Sequence, residues 1–337
     1  FTAELIETSA RGLAGLTVAR AYDRSSELDA RYGGEGFETW RRSVTSRLES
    51  LAAALASREP KVFADDLLWF RGLSTSRGIP QEDLLLVLNC MEDMLAEQLP
   101  GNVPETVSPY FEAARTAVSE APTTSGGLAP DSPAAHLFEL ALMGDMVAAR
   151  RYLIDQVLGE KITLEEAALE VLLPAAREAG RRWHVGELGV ATEHVVTATL
   201  RSALHGLAAS LPVPPSNGKA VFIAAVPGDA HDTGLVAFSM LLEQDGWRVA
   251  LAGADTPVEE IDETAQGYDC QVIALSATLP GQRAALARYL QDRDSSIPVL
   301  VGGAAIRNAE DATAIGAHGF APPLAAGVAA ARALVES

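Results

Sequence analysis

Histidine is missing from the first 135 residues of this 337-residue chain; the first of its six histidines is His136. A haem sensor in that stretch would need a proximal imidazole, so a haem globin is disfavoured there. Cysteine is scarcer still. Cys90 and Cys270 cannot build a disulfide framework, and their scarcity fits a reducing, cytoplasmic compartment. Basic residues are outnumbered, with 26 Lys and Arg against 45 Asp and Glu, a net charge of −19. A duplex-binding surface carries a basic footprint, so direct nucleic-acid binding is disfavoured. The same balance disfavours docking on an anionic membrane. No apolar run reaches the ~18 residues of a spanning helix, and no signal peptide opens the chain. The sequence starts at Phe1 rather than Met, which leaves open a preceding segment with an output domain. What is present is core material: 48% of residues are hydrophobic and 21% charged, unlike a disordered chain.

Two stretches rich in Pro, Gly and Ser lack apolar periodicity and read as connectors: 121–131 (APTTSGGLAPD) and 211–218 (LPVPPSNG). They predict domains at 1–125, 126–213 and 214–337. The first reads as all-helical, with helices over 3–22, 36–57, 60–75, 81–98 and 105–119. Leu48, Leu51 and Leu55 repeat at helical spacing, as do Leu84, Leu88 and Met91. Pro60, Pro80 and Pro104 stand where helices begin. The second reads as a small helical bundle over 133–157, 163–183 and 191–209, the middle helix opened by a Thr163–Glu166 capping box. In the third the period changes. Short apolar runs at 220–226, 248–252, 272–276 and 299–302 alternate with helical stretches at 234–245, 257–266, 281–292 and 324–335. That alternation predicts a doubly wound parallel sheet, so the expected class is multidomain, α plus α/β. Ligands of such sheets bind beyond the carboxyl ends of the strands.

The loops at those ends carry chemistry. After the first strand comes Asp229-x-His231-x-x-Gly234. A carboxylate bonded to one ring nitrogen fixes the tautomer and makes the other a better metal ligand. Gly234 would let a bulky ligand approach the next helix. The plain alternative is a polar loop in which Asp232 or Thr233 caps that helix. A zinc site is a third option, although Asp229, His231 and Asp232 are too close in sequence to close a tetrahedral site alone. The third strand ends in Ser276-Ala277-Thr278 and the fourth in Gly302-Gly303. In that order, these three motifs resemble the cobalamin-binding domain of methionine synthase and methylmalonyl-CoA mutase, a Rossmann-like fold. The resemblance covers 219–337. It implies that His231 is the lower axial ligand of cobalt and that Asp229 orients it. It further implies that Ser276 and Thr278 line the slot for the displaced nucleotide tail, and that Gly302 and Gly303 give it room.

The bundle narrows the class. Its second helix ends in Arg182-Trp183-His184, and Glu193-His194 follow, with nine residues between Trp183 and Glu193. This pattern resembles the helical cap of CarH-type photoreceptors, which use adenosylcobalamin as a light antenna. The resemblance implies that Trp183 packs against the upper adenosyl group, that Glu193 hydrogen-bonds it, and that His194 supports the same pocket. It also implies that His184 becomes the upper cobalt ligand after light. The plain alternatives are a Trp core anchor and a Glu-His pair that caps a helix. His136, His205 and His318 match no pattern and read as structural or solvent-facing.

The first domain resembles globin-like sensor domains. Joined to a cobalamin module, it is similar to that of the photocobilins, which bind a bilin as well. Trp40, Trp69, Phe70, Tyr32, Arg41, Arg42 and Arg71 are the residue types that a bilin such as biliverdin needs. Cys90, mid-helix, reads as core more readily than as a thioether site. The leading expectation is therefore a non-catalytic, light-responsive signalling protein with adenosylcobalamin and a bilin, acting through a homo-oligomer or a protein effector. A corrinoid methyl carrier of a methyltransferase system is the runner-up, and a sensor of cofactor supply the third reading. In the first domain a dimerisation and relay role stands beside bilin binding.

Overall fold

The computed structural model describes residues 2–120, 127–321 and 324–336, grouped in two compact units, 1–125 and 126–337. The first unit is helical throughout its described residues: α1 (Thr2–Arg24), α2 (Ser26–Ser57), α3 (Pro60–Ser76), α4 (Gln81–Gln98) and α5 (Val103–Glu120). The periodic leucines face inward; Leu48, Leu51, Leu84, Leu88 and Met91 are all buried. Phe63 meets Phe111 edge to face across this core, centroids 5.4 Å apart. One difference from the sequence expectation is instructive. Residues 26–35, expected to precede the second helix, are themselves mostly helical, but Gly33 at φ 58° and ψ −163° lies outside helical geometry and divides α2 into two helical segments. Glycine reaches that positive φ without the penalty a side chain would bring.

The second unit begins with α6 (Pro133–Leu142) and α7 (Met146–Leu158). The expected single helix over 133–157 is corrected to two. Gly144, at φ 70°, ends the first, and the Asp145 carboxylate caps the second by accepting the Ala148 N–H at 2.9 Å. The Thr163–Glu166 capping box forms as expected and opens α8 (Leu164–Glu166). A π turn at Ala167–Leu172 then leads into α9 (Leu173–His184). Pro174 follows that turn directly and has no N–H to continue the α pattern. α10 (Val190–Ser210) completes the bundle.

The parallel sheet follows: β1 (Ala220–Ala225), α11 (Thr233–Gln244), β2 (Arg248–Gly253), α12 (Val258–Gly267), β3 (Val272–Ser276), α13 (Pro280–Asp292), β4 (Val299–Gly302), α14 (Ala309–Ala314), β5 (Gly319–Phe320) and α15 (Leu324–Glu336). Strand order is β2-β1-β3-β4-β5, every pair parallel. The order reverses between β1 and β3, which opens a crevice at their carboxyl ends. β1 and β3 are buried along their whole length, which is why both read as unbroken apolar runs. The edge strand β2 is half exposed. Two elements escaped the sequence reading, six-residue α14 and two-residue β5; neither is long enough to show a period.

Bundle and sheet share a core. Val236, Ala237 and Met240 of α11 pack among Leu137, Phe138, Leu200 and Leu204. An ion pair joins the same elements, the Arg201 guanidinium of α10 donating to the Asp232 carboxylate at 3.1 Å. Met240→Ala, at this shared seam, is expected to lower stability by roughly 2–5 kcal/mol. Urea unfolding followed by circular dichroism measures the loss, and an unchanged midpoint would show that the seam is not a cooperative core.

Candidate functional site

The loop after β1 is organised by one buried carboxylate. Asp229 is 0% exposed. One of its oxygens accepts the His231 backbone N–H at 3.0 Å and lies 2.9 Å from the ring Nδ1. The other accepts the Thr278 N–H at 2.9 Å from the loop after β3. The ring proton is therefore assigned to Nδ1, which leaves the Nε2 lone pair free on a side chain that is 60% exposed. Its pKa is raised, chiefly by the Asp229 hydrogen bond and against the opposing effect of burial; the Asp229, Glu193 and Asp232 charges add to it. Glu193 stands on α10, so the amino end of that helix acts electrostatically on the histidine.

The neighbouring strand ends are close-fitting. Ser276, buried, pairs in register with Gly302 across β3 and β4. The Ala277 N–H donates to the Gly302 carbonyl at 3.0 Å. Gly303 has φ 96°, and a Cβ there would fall 2.2 Å from the Ala277 carbonyl oxygen, so the backbones approach as only glycine allows. At Gly234 an added Cβ meets nothing within 4 Å, so that side of the first turn of α11 is open. Asp232 precedes this helix but does not cap it; its carboxylate turns to Arg201 instead.

On the bundle side, α9 closes on Trp183 and His184, both half-buried. Its last turn is fixed by Glu178, which sequence reading missed. The Glu178 carboxylate accepts from Arg181 at 2.7 and 2.8 Å and from Arg182 at 2.7 Å, and Arg182 stacks 4.7 Å from the Phe138 ring centroid. Arginines at i+3 and i+4 of a glutamate were the available signal. The Arg181 hydrogen bond, with Arg182 assisting, holds the Glu178 carboxyl below its usual range despite burial. Residues 185–189 link to α10, where Glu193 accepts the Thr197 hydroxyl at 2.6 Å. His194 is exposed, its Nε2 3.8 Å from the Glu193 carboxylate. The structure thus brings Asp229, His231 and Thr278 together, pairs Ser276 with Gly302, and sets Glu193 within electrostatic reach of His231.

The remaining histidines lie apart from this group. His136 packs on Tyr152, centroids 4.6 Å apart, His205 is exposed, and His318 Nδ1 accepts the Val299 N–H at 3.2 Å. No group of three or more His, Cys, Asp and Glu residues among those described could hold a metal ion, so the zinc option finds no ligand set. One accessible, carboxylate-oriented imidazole suits a metal that arrives with its own macrocycle and asks the protein for an axial ligand.

In the first unit, Tyr32, Trp40 and Phe70 share the lining of a cavity of about 400 Å³ with Ser43, Ser74, Arg31 and Arg77. The other bilin candidates lie outside that lining. Arg41 pairs with Glu38 at 2.7 Å, and Trp69 is partly exposed. Arg42 and Arg71 are also absent from the cavity wall. Cys90 is fully buried beside Arg24, Sγ to Nη1 3.6 Å, and does not line the cavity; burial pushes its thiol pKa up, as for a core residue.

Comparison with known proteins agrees with the second unit's architecture. The B12 binding domain family matches residues 219–323, and a second B12 binding domain family, over the bundle, matches 134–207. The chain is 34% identical over 139 residues to the HTH-type transcriptional repressor CarA of Myxococcus xanthus, 40% of this chain and 46% of that protein. It is 32% identical over 160 residues to the repressor CarH of the same organism, 46% of this chain and 52% of CarH. It is 30% identical over 187 residues to dimethylamine corrinoid protein 3 of Methanosarcina acetivorans, 51% of this chain and 87% of that protein. The chain therefore belongs to the B12-binding corrinoid proteins, and it binds cobalamin. It spans about half the length of the two repressors.

Two outcomes follow for the site. Asp229→Ala should weaken cobalamin affinity about 10- to 100-fold, as loss of an orienting carboxylate does at metal sites; an absorbance titration measures it. Glu178 has a depressed pKa, so its contribution is present above the ordinary carboxyl value of 4.5 and lost as pH falls through its lower folded value. Glu178→Gln should remove that acid limb and cost about 2 kcal/mol near neutral pH, read from unfolding at pH 7 and pH 4.

Proposed function

We propose that this chain is a light-responsive, non-catalytic signalling protein that uses adenosylcobalamin as its chromophore. The observation that carries the reading is the combination of Trp183-His184 at the close of α9 and Glu193-His194 at the opening of α10, with Glu193 acting on His231. The similarity to CarA and CarH supports it. When bound, adenosylcobalamin supplies visible absorption and a cobalt–carbon bond that light breaks. The chain's residues divide the remaining tasks. His231 would hold the cofactor's metal through Nε2, while Asp229 keeps its tautomer and direction. Ser276, Thr278, Gly302 and Gly303 accommodate the nucleotide tail, with Gly234 leaving the approach open. Trp183 and Glu193 enclose the upper group, with His194 beside Glu193. His184, at the end of α9, would be the bundle imidazole available as a further nitrogen donor after light. Because α10 carries both Glu193 and Arg201, a shift of its amino end is transmitted to the Asp232 contact. A small change at the site thus biases the seam between bundle and sheet, and the output passes to another copy of the chain or to a protein effector.

The test is the spectrum of the reconstituted protein before and after green light. A changed spectrum in the wild type, with His184→Ala retaining dark binding but giving a different light-state spectrum, supports the reading. An adenosylcobalamin spectrum that survives illumination overturns it. The similarity to dimethylamine corrinoid protein 3 favours a second reading, carriage of a methyl group between methyltransferases; loading of the protein from a methyl donor in the presence of a methyltransferase would establish it.

We also propose that the first unit binds a bilin in the cavity lined by Tyr32, Trp40 and Phe70. Aromatic walls suit a flat conjugated ligand, and Arg77 suits a carboxylate, whereas Arg31, held by Asp83 and Glu27, would have to exchange partners to take one. Biliverdin should give a red-absorbing complex that Trp40→Ala weakens at least tenfold. Failure to bind would leave this unit the dimerisation and relay role.

A further inference from the structure

Gly228 is held at its backbone N–H and its carbonyl by loops of two other strands. Its N–H donates to Asp255 Oδ1 at 2.7 Å, from the loop after β2. Its carbonyl accepts Gln282 Nε2 at 2.8 Å, from the first turn of α13 after β3. Each partner makes a second tie to the same loop system. The Asp255 N–H donates to the Asp229 carbonyl at 3.0 Å. Gln282 Oε1 accepts the Thr278 N–H at 3.0 Å and the Leu279 N–H at 2.7 Å, and the Thr278 N–H also reaches the Asp229 carboxylate at 2.9 Å. Gln282 is buried, 8% exposed, so its bonds are shielded from competing water. Asp255 stands at φ 47°, a left-handed conformation uncommon outside glycine and tolerated best by Asn and Asp. Such a conformation persists where the surroundings over-determine it.

We infer that Asp255 and Gln282 are positioning residues that set the Gly228–His231 loop in its metal-facing form before the cofactor arrives. The inference rests on the reading of His231 as the lower ligand. The loop carries a glycine hinge, Gly228 at φ 77°, and an unclamped loop would have to be ordered on binding at the expense of affinity. With the peptide units on both sides of Gly228 fixed, the Asp229 carboxylate is already directed at His231, and an arriving cofactor would meet a preformed imidazole donor. Helix capping alone accounts for the Gln282 bonds to Leu279 and Thr278 but not for its bond to Gly228, which crosses to another strand.

Gln282→Glu separates the two roles. It keeps the oxygen that serves the capping bonds and replaces the donor to Gly228 by an oxygen that repels the carbonyl. Asp255→Asn keeps the acceptor and the left-handed preference, whereas Asp255→Ala loses both. Two measurements are made on each full-length variant and on His231→Ala. Amide hydrogen exchange without cofactor should be at least tenfold faster at residues 228–231 in Gln282→Glu and Asp255→Ala, and near wild type in Asp255→Asn. Paramagnetic resonance with cob(II)alamin should show axial-nitrogen splitting in the wild type and Asp255→Asn, reduced in the other two together with about tenfold weaker binding. Wild-type exchange and undiminished splitting in Gln282→Glu and Asp255→Ala overturn the inference. If the wild type shows no nitrogen splitting beyond that of His231→Ala, the reading of His231 fails, and the inference falls with it even where the exchange rates show a clamped loop.

Discussion

The hydrogen-bonding of the Asp229 carboxylate is the constraint on which the rest of the site depends. A carboxylate withdrawn from water is tolerable only when its lone pairs are taken up. Here one oxygen serves both the backbone and ring of His231, and the other reaches the Thr278 amide of a different strand. This arrangement fixes three things together: the histidine tautomer, the path of the loop after β1, and the distance between the loops after β1 and β3. The crevice between those strands exists because of the sheet order, but its chemistry exists because one buried charge ties the two loops.

From there the structure extends outward through α11. The helix starts directly after the histidine loop, and Val236, Ala237 and Met240 leave the sheet side to enter the core of the helical bundle. A bundle resting on this helix cannot move without disturbing residues adjacent to His231, and the Arg201–Asp232 pair makes the coupling ionic as well as apolar. Such a pair is partly exposed and contributes little to stability on its own. Its place at the seam suits it better to orienting the bundle than to holding it.

How much of this was legible in the sequence depends on the length scale of each signal. β1 and β3 could be read because strands buried on both faces are continuous apolar runs. Asp229, His231, Ser276 and the glycine pair stand out in the sequence because each follows or ends an apolar run, and the structure places Asp229 beside His231 and Ser276 opposite Gly302. The break at Gly144 could not, since a glycine inside a helical period is often tolerated. α14 and β5 could not, being shorter than one period of any pattern. Asp255 and Gln282 could not for a different reason. Each bonds to backbone groups of a loop some 27 and 54 residues away, and a bond to backbone leaves no complementary residue type for the sequence to display. Arg201 was hidden likewise, as one charge on a helix whose partner lies 31 residues on.

The charge balance of −19 takes on a more local meaning beside this geometry. Around His231 stand Asp229, Glu193 and Asp232, all of which favour a protonated ring. The ligand role proposed for His231 requires a neutral nitrogen, so the acidic surroundings oppose it unless one of them also fixes the proton on the far nitrogen. Asp229 does so by bonding to Nδ1, which leaves Nε2 as the donor. Asp232 is drawn toward Arg201 and away from capping its own helix, and Glu193 is engaged by the Thr197 hydroxyl. Two of the three acids therefore have partners on the bundle, so the position of α10 contributes to the charge environment of His231. If His231 is the ligand proposed above, a displacement of that helix would change the electrostatics at the imidazole as well as the packing of the bundle beside it.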